Sequence, residues 1–179
     1  MREHRANRKE RRRGATDDAV EGGATRALRS SERDVLTKLS ALPAEEFERG
    51  RYEDGWNGRQ IVAHIASIEW TYARLIDVAR EAQAGGQRSP DPPARPFRQG
   101  YTDYNQRQVD KRANASVKEL LEEFRQNRSA TIAAVGSAPD ELFATPIRSA
   151  GGVTGPLVSV FYSVAVLHVQ MHVNDIVGA

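Results

Sequence analysis

The 179-residue chain has no cysteine. That excludes disulfides, thiolate metal ligands and a protein cysteine nucleophile, so any sulfur chemistry has to use a thiol from outside the chain. Long apolar runs are missing too. No stretch reads as the roughly 18 uninterrupted apolar residues that a membrane helix needs. The basic N-terminus is not followed by the apolar segment of a secretion signal. A membrane partner is therefore not expected, and the cytoplasm is the expected compartment. Convincing strand pairs are scarce. Histidine is scarce as well, at four residues, one of which is His4 near the start.

What is present is charge, unevenly placed. The formal net charge is +2, yet Arg2, Arg5, Arg8, Lys9, Arg11, Arg12 and Arg13 stand against only Glu3 and Glu10 in the first thirteen residues. The remainder is therefore mildly acidic, and the high isoelectric point belongs to the start of the chain. Residues 1–23 read as a disordered basic tail, and residues 24–179 as one folded domain, long enough to bury a core. No aromatic interleaves with the tail's arginines and no reader fold follows them, so a nucleic-acid partner is not expected.

Four helical stretches carry apolar stripes. The first is expected from about Thr25 to Leu42, where Pro43 stops it. The second starts at Asn57, with Gln60 three residues on as in a capping box, and continues through Ile61, Ile65, Ile68, Tyr72 and Leu75 to Gly85-Gly86. A linker from Gln83 to Gly100 holds Pro90, Pro92, Pro93 and Pro96, which exclude a regular helix. Helical pattern resumes near Thr102 and restarts at Ser116, which with Glu119 forms a second capping-box signal. It runs past Leu120, Leu121 and Phe124 to Gly136. A loop with Pro139, Pro146 and Gly151 leads to a last helix beginning near Pro156. One side of that helix is expected to hold Phe161, Ala165, His168, Met171 and His172. Four such helices bury their stripes most simply as an all-α four-helix bundle, with the proline-rich linker as a long crossover.

Three histidines lie within these stripes. His168 and His172 are four apart, so their rings project from one side of the last helix about a turn apart. Two imidazoles at that spacing chelate one ion, and His64 on a facing helix would supply a third nitrogen. A single buried histidine is more often a hydrogen-bonded core residue. Three in one core are costly without a partner, and one ion satisfies all three. A three-nitrogen site keeps a position open for water or substrate. Asp175, three residues after His172, is placed to orient a ligand histidine from behind or to lie in solvent near the helix end, with direct ligation less expected. Glu69, five after His64, is turned away from it and reads as a structural polar contact. Trp56, Trp70, Tyr72, Phe161 and Tyr162 offer an aromatic lining for a ligand-sequestering pocket, or plain core.

The stretch Gly55-Trp56-Asn57-Gly58-Arg59-Gln60-Ile61-Val62-Ala63-His64-Ile65-Ala66 resembles the Gly-Trp and Ala-His signature of the DinB/YfiT-like superfamily. Leu167-His168-Val169-Gln170-Met171-His172-Val173-Asn174-Asp175-Ile176 is similar to that family's closing histidine motif. Asn105 and the start of the Ser116–Phe124 helix resemble its third-helix region more loosely. That superfamily includes the mycothiol-dependent maleylpyruvate isomerases. The resemblance implies an up-down-down-up bundle with a divalent ion, zinc or nickel, held by His64, His168 and His172. It further implies a thiol-dependent transferase or isomerase, acting on a small molecule with mycothiol or bacillithiol, and a homodimer by analogy. Metal-dependent hydrolysis and non-enzymatic sequestration of a small molecule stay open as alternatives. So do the substrate, the metal's identity and whether the chain is an enzyme.

Overall fold

The structure, a computed structural model, describes residues 3–50, 55–85 and 100–178, with side chains described from residue 22 onward and, after the second gap, from 103. Most of the expected proline-rich linker lies outside the described residues. Helix α1 spans Glu3–Ser40, the short α2 Ala44–Glu48, α3 Gly58–Gln83, α4 Gly100–Asp110 and α5 Val117–Gly136. A 3-10 turn at Asp140–Ala144 and a two-stranded hairpin follow, the hairpin pairing β1 (Pro146–Arg148) with β2 (Thr154–Pro156) in antiparallel register. The last helix comprises α6 (Leu157–Phe161), a wider π turn (Tyr162–Leu167) and α7 (His168–Val177). The fold is all-α as expected, apart from the hairpin.

Local chemistry accounts for the best-defined starts. The Asn57 side chain accepts from the Gln60 backbone N–H while the Gln60 side chain accepts from the Asn57 N–H. Ser116 and Glu119 do the same for α5. Each box satisfies two donors that a helix end would otherwise leave orphaned, and loss of such a cap costs about 1 kcal/mol. Gly58 opens α3 where a Cβ would stand 3.0 Å from the Phe47 Cα, so α2 packs directly on that first turn.

Two features depart from the sequence reading. Helix α1 begins at Glu3, well before the expected start near Thr25. Its first turns contain no proline and are rich in Arg, Lys, Glu and Ala, all good helix formers. Gly14, Gly22 and Gly23 weaken such a helix by about 1 kcal/mol each without breaking it. The last helix, from Leu157 to Val177, is 21 residues long and apolar enough by length and composition to cross a membrane, which the search for an uninterrupted apolar run missed. Core packing accounts for part of that apolarity, a third of the apolar stretch being buried. Leu157, Val160, Phe161, Ala165, Val169 and Val173 are all at most 2% exposed.

The long helices α1, α3, α5 and the last helix pack on one another. Their core falls into two clusters. One gathers Val35, Leu39, Trp56, Ile61, Phe124 and Val173 around the start of α3. The other gathers Leu28, Tyr72, Ile76, Val135, Phe143 and Leu157 beside the hairpin.

Candidate metal centre

The first cluster brings His64, His168 and His172 together. Their candidate ligand nitrogens all lie within 4.8 Å of one another. Ring centroids are 5.6 Å apart for His64 and His168, 5.0 Å for His64 and His172, and 4.6 Å for His168 and His172. His64 projects from α3 and is 4% exposed, whereas His168 and His172 are partly exposed. The Nε2 atoms of His168 and His172 are 3.1 Å apart, so one ring donates to the other. Asp175 stands behind, its Oδ2 3.3 Å from Nδ1 of His172. Trp56 closes one side, its ring 5.2 Å from that of His64.

Burial keeps two of these rings, His64 and His168, neutral. Burial pushes His64 down to about 3, with His172 and then His168 adding to the effect. Burial and then His172 push His168 down to about 4. Near pH 7 both imidazoles are uncharged, with a lone pair on each ring, which is the form that binds a metal. His64 Nδ1 is buried with no hydrogen-bond partner. A buried polar atom without a partner costs about 1–3 kcal/mol, so the cluster is incomplete as the protein alone builds it.

The donor set fits a divalent ion. Two nitrogens on one tetrahedral zinc-sized ion stand about 3.4 Å apart, given metal–nitrogen bonds of about 2.1 Å. Closing the cluster from within 4.8 Å takes ring movements of about 1 Å. Three imidazoles, joined by no carboxylate among the described residues, also leave a coordination position toward solvent.

The expected side of the last helix is corrected. Met171, expected on the buried side with the histidines, is 50% exposed, and Val169 and Val173 are buried instead. The cause is the π turn. There the His168 N–H reaches back five residues to the Ser163 carbonyl rather than four. The extra residue in that turn retards the helix by about 100°. His168 and His172 thus leave the buried stripe and sit at its edge, where they meet His64 with one side open.

Other expected residues scatter. Glu69 is fully buried against Arg128 on α5, as a structural contact. Of the five aromatics, Trp56 belongs to the histidine cluster and Tyr72 and Phe161 to the other core cluster. Trp70 and Tyr162 are 41% and 51% exposed, so the five do not line one pocket. Sequence reading missed Gln106 on α4, whose Oε1 accepts from the Trp56 indole at 2.8 Å and whose amide donates to Asp110 at 2.7 Å. It lies fifty residues from Trp56 and has no local signal.

A helical fold holding three clustered histidines, one from a capped internal helix and two from the last, defines a class of candidate metal-binding bundles. The sequence model of the DinB superfamily matches residues 27–176, and the chain belongs to that family. Among solved structures, the chain is similar to the crystal structure of a mycothiol-dependent maleylpyruvate isomerase, with a TM-score of 0.66 and 14% identity over 87% of this chain. A histidine-to-alanine variant of that isomerase matches with a TM-score of 0.65 and 13% identity. The chain spans 60% of the length of each, and at such identity the likeness concerns the fold. No curated protein matches the chain.

Proposed function

We propose that the protein is a metal-dependent enzyme of the thiol-dependent transferase or isomerase type. In this reading His64, His168 and His172 hold one divalent ion, zinc or nickel, and an external low-molecular-weight thiol reaches it from the open side. The observation that carries this reading is the incomplete cluster: three imidazoles with ligand nitrogens within 4.8 Å of one another, one with an orphaned buried nitrogen. A bound divalent cation supplies a positive centre that lowers the pKa of a thiol beside it. The chain's own residues do the rest. Asp175 fixes the ring of His172 by accepting from its Nδ1–H, which leaves Nε2 as the lone-pair nitrogen. The Trp56 ring keeps water from one flank of His64. The partly exposed edges of His168 and His172 leave the approach open to a small substrate. The chain has no cysteine, so the sulfur has to be external. Membership of the DinB superfamily and the fold shared with a mycothiol-dependent enzyme favour mycothiol as that thiol.

Elemental mass spectrometry on untagged protein, purified without added metal or chelator, tests the metal. Near one ion per chain is expected, with little in the His168→Ala/His172→Ala variant. Absence of metal, with none taken up on adding zinc or nickel, would sink the reading. Cobalt-substituted protein then tests the thiol, since added mycothiol should change the visible spectrum. An unchanged spectrum, with turnover of an ester or amide lacking any thiol, would turn the assignment to hydrolysis.

A further inference from the structure

Behind the histidine cluster lies a second buried polar group that the metal reading does not use. Arg128 on α5 and Glu69 on α3 are both fully buried. Arg128 Nη2 donates to Glu69 Oε2 at 2.8 Å, and Arg128 Nε stands 2.7 Å from Glu69 Oε1, at an angle too bent for a hydrogen bond. The same Nη2 donates to the Ala165 carbonyl at 2.8 Å, and Nη1 to the Leu28 carbonyl at 3.4 Å. Thr131 donates to the Glu69 carbonyl at 3.4 Å, and the guanidinium lies 5.0 Å from the Phe124 ring centre. One side chain on α5 therefore grips α1, α3 and the last helix together.

Where it grips matters. Glu69 lies five residues after His64 on α3. Ala165 lies three residues before His168, inside the π turn. An α-helix advances an i, i+4 stripe by about 40° at each step, so the buried row Phe161, Ala165, Val169, Val173 would drift by about 120° without correction. The π turn removes most of that drift. A wide turn also has carbonyls poorly matched to the regular ladder, and a buried cationic donor is suited to hold one of them.

We infer that Arg128, held by Glu69, is a positioning residue for the histidine site: by binding the Ala165 carbonyl it fixes the π turn, and so fixes where His168 and His172 stand relative to His64. The inference rests on the proposed metal centre for its metal readout only. Replacing a buried ion pair with apolar groups of similar size is often neutral or stabilising, so Arg128→Met/Glu69→Leu is expected to fold. Its stability, measured by denaturant unfolding, should stay close to wild type while zinc affinity falls tenfold or more, in the range found when groups that orient metal ligands are removed. Backbone amides at 166–168 should exchange faster with solvent. Arg128→Lys keeps the charge beside Glu69 but gives up the forked reach to Ala165, and should also lose about tenfold in zinc affinity. Wild-type zinc affinity and wild-type exchange at 166–168 in either folded variant would overturn the inference. If wild-type protein takes up no metal, the proposed function fails on its own. The positioning role is then read from ring-proton Overhauser contacts among His64, His168 and His172, expected in the wild type and lost in the variants. Contacts that persist in the variants would overturn it.

Discussion

Two of the molecule's buried polar groups contrast with each other. At Arg128 and Glu69 a guanidinium meets a carboxyl, and carbonyls from two further helices accept from Arg128 Nη1 and Nη2. Burial pushes the Glu69 carboxyl up, with Arg128 and Thr131 pulling the other way. At His64, His168 and His172 there is no opposing charge among the rings, and one buried nitrogen has no partner. The first group is closed in charge by the chain itself, although Arg128 Nε and Glu69 Oε1 make no hydrogen bond. The second, on one buried and two partly exposed rings, has no such pairing. Charge pairing, rather than burial or an unpartnered atom, separates the structural fastening from the candidate binding site.

The sharpest way to break this contrast is to open the closed group. Arg128→Ala strands a buried carboxylate and should cost about 3–5 kcal/mol in denaturant unfolding. His64→Leu removes the orphaned ring, and in metal-free protein should be neutral within about 1 kcal/mol or stabilising. Equal losses would mean that the two groups are alike.

Comparable in size is the response to acid. His64 and His168 ionise in the folded chain near 3 and 4, below their ordinary value of 6.5. Between about pH 6.5 and 4 the unfolded chain therefore binds protons that the folded chain does not. Stability is complete above pH 6.5 and falls as the pH drops, with a slope approaching about 1.4 kcal/mol per pH unit for each ring. Urea midpoints of metal-free protein from pH 7 to 4.5 check this. Replacing both rings with leucine should flatten the curve, and an equally steep curve in that variant would assign the acid sensitivity elsewhere. The smallest effect expected is that of Asp175→Asn. It should weaken zinc binding by about tenfold through the loosened His172 ring, with the fold unchanged by circular dichroism.

How much of this the sequence revealed depends on the reach of each interaction. Both capping boxes were legible because donor and acceptor lie three residues apart. The i, i+4 histidine pair was legible for the same reason, and the stripe around His64 marked its helix. Pro139, Pro146 and Gly151 marked a loop but gave no sign of the 3-10 turn and hairpin there. Helix α2 lies within a five-residue segment too short for periodicity to show. The side of the last helix was misread because a 3.6-residue period was carried through a turn that is wider. The grip of Arg128 on Ala165 spans 37 residues, and that of Gln106 on Trp56 spans 50, so neither leaves a mark in local sequence.

The two tryptophans occupy opposite settings. Trp70 is 41% exposed on α3, with the Arg74 guanidinium 5.6 Å from its ring centre. Trp56 is 5% exposed beside His64, with its indole N–H bound to Gln106. The buried indole emits from a dry environment against the imidazole, and the outer one from water. The protein's own fluorescence thus carries a blue component that belongs to the histidine cluster and a red one that does not, an optical gauge of the site that needs no attached dye.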